Sequence, residues 1–362
     1  MTSKDKLKPL FTVVIDVYWG IEFFKKAISA IRNQTYSKLE IIVVNNGASE
    51  DISSLIQTLK GEDPRIKVIK YKENLFKFSD PHRLYYVITN EALNLASGEY
   101  FFYQSYDDLL ALDYIERIVQ LFEENPKCLS ACGRPVSLNS SGEANKEEMI
   151  NRKTNFRPRF MAGHEMVLNS LEPEGSRIFS SPGTIFSFRT KTLRDHGGFH
   201  RSAEDFELYG IVAFGVTGFD EEAIFYWRRH KGQTNKILSA RGWSGLREFH
   251  SLIKDKQLKQ KWEIHGEDVA DNLIKNIFYE KCRASADLTL RLLFGFKLIG
   301  SIRAFSYSFN YFYYWKALQR EFFKKKKHYF LIFVFQFGFL VKPLINLLDS
   351  YVITTKKNRF IS

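Results

Sequence analysis

The chain has 362 residues, a formal net charge of +12 and three cysteines. Its length allows one α/β domain plus an appendage, and Cys128, Cys132 and Cys282 give neither an even disulfide framework nor paired metal-ligand spacing, so a reducing compartment is expected. Residues 1–235 hold 30 Lys and Arg against 31 Asp and Glu, whereas residues 236–362 hold 23 against 10; a basic excess confined to an apolar, aromatic tail argues against nucleic acid and for an anionic membrane surface.

Met1 to Leu10 is polar and basic with no apolar run behind its lysines, so no signal peptide and a cytoplasmic start are expected. Phe11 to Val17 is a β-branched apolar run suited to a strand buried on both faces. Ile21, Phe24, Ala27, Ile28 and Ile31 then recur at helical spacing, with Lys25, Lys26 and Arg32 opposite them. Glu40 to Val44 predicts a second strand stopped by Asn45-Asn46-Gly47, and Ile52, Leu55, Ile56 and Leu59 a second helix. Ile66 to Tyr71 predicts a third strand, Leu84 to Leu95 a third helix closed by Gly98, and Tyr100 to Tyr103 a fourth strand. The order β-α-β-α-β-α-β, with crossovers of a dozen or more residues, predicts right-handed parallel units and a nucleotide-binding architecture.

The fourth strand delivers Ser105-Tyr106-Asp107-Asp108 to its C-terminal end, where open α/β sheets place their ligands. Two readings stand for the acids. Either Asp108 caps a helix from Asp113 to Glu124 and Asp107 is merely solvated, or the pair faces a ligand. A dinucleotide fingerprint is excluded, because Asp16-Val17-Tyr18-Trp19-Gly20 holds one glycine where three are needed.

Several stretches carry a resemblance: Pro9 to Tyr18, then Ala27-Ile28 through Asn33-Gln34-Thr35-Tyr36, then Leu39 to Gly47. Asn90, Ala92-Leu93 and Leu95 to Tyr100 follow, and later Gly197-Gly198-Phe199, Glu204-Asp205 and Tyr226 to His230. Over about residues 9–235 the chain resembles the GT-A fold glycosyltransferases of family 2, inverting enzymes that use nucleotide-diphosphate sugars. The resemblance implies a mostly parallel α/β nucleotide-binding sheet flanked by helices. It implies donor-binding roles for Asp16, Tyr18, Asn45, Asn46, Asn90, Ser105, Tyr106 and Asp107, with a UDP- or dTDP-linked sugar as donor. Arg177 and Ser181-Pro182-Gly183 fall where relatives face the acceptor, or form a plain turn.

The departures from the family pattern all lie near the nucleotide. Asn45-Asn46 stand in place of an Asp-Asp pair, Ser105 in place of the first metal-motif aspartate, Asp16 in place of a proline and Thr89 in place of an arginine. Less negative charge implies a more weakly held cation, and a rival reading is a degenerate module that binds nucleotide or glycan without turnover.

Sugar transfer needs a base for the acceptor hydroxyl and a cation for the leaving diphosphate. Asp205, with Glu204 beside it, is the expected base at the start of an apolar helix from Phe206 to Phe214, the alternative being acids that complement a helix dipole. Asp107 is the expected ligand for Mg²⁺ or Mn²⁺. His230, after a strand-like Ala223 to Trp227 and flanked by Arg228, Arg229 and Lys231, reads either as a packed side chain or as a group reaching the metal or diphosphate. Between Ser137 and Arg177 periodicity is lost, which predicts a long loop over the mouth of the site.

Beyond residue 235 the resemblance ends. Residues 236–320 read as a helical extension, and residues 321–362 as a basic, aromatic tail. Tyr329 to Val341 is too short to span a bilayer, which takes about 20 apolar residues, so it reads as an interfacial helix or as one packed on the catalytic domain. The expected placement is the cytoplasmic face of the membrane, with a glycan or lipid-linked glycan as acceptor; nothing in the sequence sets an oligomeric state.

Overall fold

The computed structural model describes residues 8–77, 83–146, 158–166, 185–199, 215–233 and 236. Four parallel strands open the fold: β1 (Phe11–Val17), β2 (Leu39–Asn46), β3 (Ile66–Tyr71) and β4 (Tyr100–Ser105). They lie in the order β3-β2-β1-β4. Every residue of β1 and β2 is buried, which is why their apolar residues, Val13 to Ile15 and Ile41 to Val44, are consecutive rather than alternating. The connections are α1 (Ile21–Arg32), α2 (Glu50–Glu62) and α3 (Arg83–Leu95). In α1 the apolar stripe Phe24, Ala27, Ile28 and Ile31 is buried as its spacing predicts, and each large member contributes about 1.5–3 kcal/mol relative to exposure.

The second half of the sheet is mixed. After the two-residue β5 (Leu109–Leu110) come α4 (Tyr114–Glu124), β6 (Cys128–Leu138), β7 (Phe160–Ala162), β8 (Phe186–Arg189), α5 (Thr190–Asp195) and β9 (Val216–Arg228). The sheet continues from β4 through β8 and β6 to β9 and β5, with β7 also on β9. β8 runs antiparallel to both β4 and β6, and β9 runs parallel to β6. β6 and β9 change register between Gly133 and Arg134. There a Cβ on Gly133 would fall on the Ala223 carbonyl oxygen, so only glycine lets β9 press this close and turn its end toward the parallel half.

Asp108 does not cap α4: the N-cap is Asp113, because β5 intervenes and turns Asp108 toward β9. The stretch from Ser137 to Arg177 is not one long loop either, since β6 runs to Leu138 and Phe160–Ala162 pairs with β9. The helix expected from Phe206 to Phe214 and everything from residue 237 on lie outside the described residues. Among the described residues no helix is long and apolar enough to cross a membrane.

Candidate functional site

The C-terminal ends of β1, β2 and β4 lie side by side, with Asp16 opposite both Ser105 and Val44 in the strand register. Beyond them two turns converge. The first is Tyr18-Trp19-Gly20, which enters α1. Gly20 is left-handed (φ 78°), and a Cβ there would stand 2.9 Å from the Tyr106 ring, so both the conformation and the contact require glycine. The second is the Ser105 to Asp108 turn, closed by the Asp108 N–H donating to the Ser105 carbonyl (3.3 Å).

β9 reaches this second turn from across the sheet. The Arg228 N–H donates to Asp108 Oδ1 (2.9 Å), and Arg228 Nε donates to the Asp107 carbonyl (2.8 Å). Two residues further on, His230 Nε2 and Asp107 Oδ2 share a hydrogen bond of 2.8 Å. Asp107 and His230 are both buried, at 9% and 7% exposure. Trp19, Phe23 and Tyr106 wall the pair: the His230 ring lies 5.7 Å from Trp19 and 5.3 Å from Phe23, and Trp19 lies 5.8 Å edge-on from Tyr106. Tyr18 and Trp19 stay exposed at the rim.

Electrostatics follow from this burial. Desolvation pushes the Asp16 carboxyl up to about 6, opposed by the Tyr103 hydroxyl that donates to Asp16 Oδ1 (2.6 Å) and aided by the charge of Asp107. Burial also raises the Tyr106 phenol, with Asp107 adding to it. Desolvation pulls the Arg228 guanidinium down, against the attraction of Asp107 and Asp108.

The other expected donor residues sit as follows. Asn45 is buried, its amide donating to Ser53 Oγ (2.9 Å) and accepting from the Ala48 N–H (2.9 Å). Asn46 donates to Asn74 Oδ1 (2.9 Å) and accepts from the Leu75 N–H (2.9 Å), pinning the loop after β3. Asn90 exchanges a pair of 2.7 Å hydrogen bonds with the Phe199 backbone, so it fastens α3 to the turn after α5. Glu204, Asp205, Arg177 and Gly183 lie outside the described residues.

Asp107 and His230 fit a divalent cation. Ligand bonds of about 2.0–2.2 Å set at a right angle put two donor atoms about 3 Å apart, close to the 2.8 Å between Nε2 and Oδ2. Among the described residues no group of three or more His, Cys, Asp or Glu gathers for a metal. The sequence places Arg228 beside His230 as a cation for phosphate, whereas in the structure it is buried and holds the Asp107 carbonyl; the wall of Trp19 and Phe23 is not marked in the sequence except by the aromatic crowding around Tyr18-Trp19-Gly20.

Residues 12–173 match the sequence model described as glycosyl transferase family 2. An uncharacterized glycosyltransferase of Haemophilus influenzae is 35% identical over 247 residues, covering 63% of this chain and 68% of that protein. The GalNAc(5)-diNAcBac-PP-undecaprenol beta-1,3-glucosyltransferase of Campylobacter jejuni is 27% identical over 224 residues, covering 60% of this chain and 62% of that one, so the chain spans under two thirds of that relative. Among solved structures, the mannosyltransferase PcManGT of Pyrobaculum calidifontis, in complex with GDP-Man and Mn²⁺, shares the fold with a TM-score of 0.50 at 14% identity, over 84% of this chain and 86% of that one.

Proposed function

The chain belongs to glycosyl transferase family 2, and from that premise we propose that it moves a sugar, with inversion, from a nucleotide-diphosphate donor to a hydroxyl of a glycan or lipid-linked glycan in surface polysaccharide synthesis. The observation that carries the reading is the meeting of Asp107 and His230, 123 positions apart in the chain, at the carboxyl end of the parallel strands. A buried acid and imidazole at such a mouth are suited to a diphosphate and its counter-ion. When bound, Mg²⁺ or Mn²⁺ would offset the charge that builds on the departing diphosphate.

Asp205 is assigned the base, with Glu204 beside it. It takes the proton as the acceptor O–H bond breaks, the acceptor oxygen bonds the anomeric carbon from the opposite face, and the bond to phosphate leaves with its electron pair on the nucleoside diphosphate. Asp16, Tyr18, Asn45, Asn46, Asn90, Ser105 and Tyr106 are kept as the donor side, Tyr18 by its exposure at the rim and the asparagines by shaping loops around it. Arg177, Gly183 and Glu204 remain acceptor-side proposals. The named glucosyltransferase relative supports a lipid-linked acceptor, and the GDP-Man and Mn²⁺ of the structural neighbour support a nucleotide sugar with a metal. Residues 1–235 would form the catalytic domain, 236–320 a helical extension and 321–362 a tail on the anionic cytoplasmic face of the membrane.

One finding favours the rival without turnover: Asn45 and Asn46 already use hydrogen-bonding capacity on neighbouring loops. Incubating the protein with UDP-, dTDP- and GDP-sugars and a lipid-linked acceptor separates the two. Acceptor-dependent release of nucleoside diphosphate is expected, whereas donor binding with no release under any condition would support the rival.

A further inference from the structure

Arg228 and Arg229 are neighbours with opposite fates. Arg229 is exposed and lies 4.0 Å over the Trp227 ring, while Arg228 is 0% exposed. Burying a guanidinium carries a desolvation cost of several kcal/mol unless its surroundings repay it. For Arg228 those surroundings are the acidic turn. Its guanidinium Nε holds the Asp107 carbonyl at 2.8 Å and its carbon Cζ sits 4.9 Å over the Phe23 ring, while its backbone N–H holds the Asp108 carboxylate at 2.9 Å. Asp108 is held again on its other side, by Gln104 Nε2 donating to its carbonyl (2.7 Å). The Phe23 ring that carries the guanidinium also touches the His230 ring at 5.3 Å. One side chain therefore ties the end of β9, the first turn of α1 and the backbone of Asp107 into one piece.

Resting on the functional reading above, we propose that Arg228 is the positioning residue that aims the Asp107 carboxylate at the metal and diphosphate. It acts through the main chain. A carbonyl fixed at both the Asp107 and Asp108 peptides leaves the Asp107 backbone a single orientation, from which the carboxylate meets His230. Only arginine combines a planar face that lies on a ring with an in-plane N–H aimed sideways at a carbonyl; a lysine ammonium would need water or other acceptors around it and would leave the Asp107 carbonyl unheld.

The fold supplies its own control. Arg189 is built alike, its Nε donating to the Cys128 carbonyl (2.9 Å) and its Cζ 5.3 Å over Phe122, but it touches neither acid of the turn. The test is a thermal-shift titration of full-length protein with Mn²⁺ in the presence of UDP, dTDP or GDP, on wild type, Arg228→Lys, Phe23→Leu and Arg189→Lys. Arg228→Lys is expected to lower apparent Mn²⁺ affinity about tenfold or more, as removal of a ligand-orienting partner typically costs 10–100-fold. Phe23→Leu should act in the same direction but less, and Arg189→Lys should lower the unliganded Tm while leaving Mn²⁺ affinity unchanged. An Arg228→Lys titration that matches wild type, or Mn²⁺ affinity lost equally in Arg189→Lys, would overturn the assignment. Should Arg228→Lys not fold, Phe23→Leu decides alone, and wild-type affinity in that variant refutes the role. A folded wild type that gives no shift with any nucleotide and Mn²⁺ takes down the metal-diphosphate reading itself, and this inference with it.

Discussion

Asp16 should destabilise the folded chain at neutral pH, and replacing it by asparagine should reveal by how much. Its carboxyl is 6% exposed at the end of β1 and has been pushed from 3.8 up to about 6, by burial first, with Asp107 adding and Tyr103 opposing. Because the folded value lies above the unfolded one, the folded state binds more protons between about pH 4 and 6, and stability falls as pH rises through that window. A displacement of about two units corresponds to about 3 kcal/mol by pH 7. Asp16→Asn keeps an oxygen for the Tyr103 hydroxyl and sheds the charge, at a cost of about 1 kcal/mol for the new N–H₂ group if it finds no partner. The variant should therefore be about 2 kcal/mol more stable near pH 8 and no more stable than wild type near pH 4. Urea unfolding followed by tryptophan fluorescence across that range measures it. A stability difference that does not change with pH, or a variant weaker than wild type at pH 8, would refute the reasoning. A carboxylate kept where it weakens the fold supports its place among the donor-facing residues.

Asp205→Asn should lower transfer at least about 10²-fold with donor binding nearly intact, read from kcat and KM separately; near-normal turnover removes it from the mechanism. Gly133→Ala drives a methyl group into the Ala223 carbonyl and should cost about 1–3 kcal/mol or more, a fall of several degrees in Tm; an unchanged Tm would mean that the bulge between β6 and β9 is not packed as described. Residues 321–362 carry 8 Lys and Arg against 2 Asp and Glu, each basic residue near an anionic leaflet contributing about 1 kcal/mol. The protein should float with anionic liposomes at low salt and less, though still detectably, at high salt, and a failure to float at low salt removes the membrane assignment.

What was legible in the sequence was the parallel half. β1 and β3 have the bounds their apolar runs imply, and α1 buries the face its spacing predicts, because a buried strand leaves a short apolar run and a half-buried helix a periodic stripe. The mixed half left none. β6 contains Gly133 and Pro135, which break a strand pattern, yet both are accommodated at the change of register. β5 has two residues and β8 four, below the length at which alternation can be seen. Asp108 reads as a helix cap in sequence because nothing local announces that β9, 120 positions later, supplies its partner. The same distance hid the burial of Arg228, which the sequence offers as a cation beside His230, since a charged residue is expected at the surface until a specific set of acceptors is seen around it. His230 stood out in sequence by the strand-like run before it and the cations around it; its meeting with Asp107 is a property of the fold.

In the function proposed above, Asp107 and His230 hold the diphosphate end of a nucleotide donor through a divalent cation. The most direct measurement is the Tm of wild type and Asp107→Ala with Mn²⁺ alone, nucleoside diphosphate alone, and both together. Wild type should be stabilised by the combination well beyond the sum of the two, with EDTA abolishing the excess, and Asp107→Ala should lose it, since neither Ser105 nor His230 replaces a carboxylate. Equal stabilisation of both proteins, or a nucleotide effect untouched by EDTA, would contradict the claim.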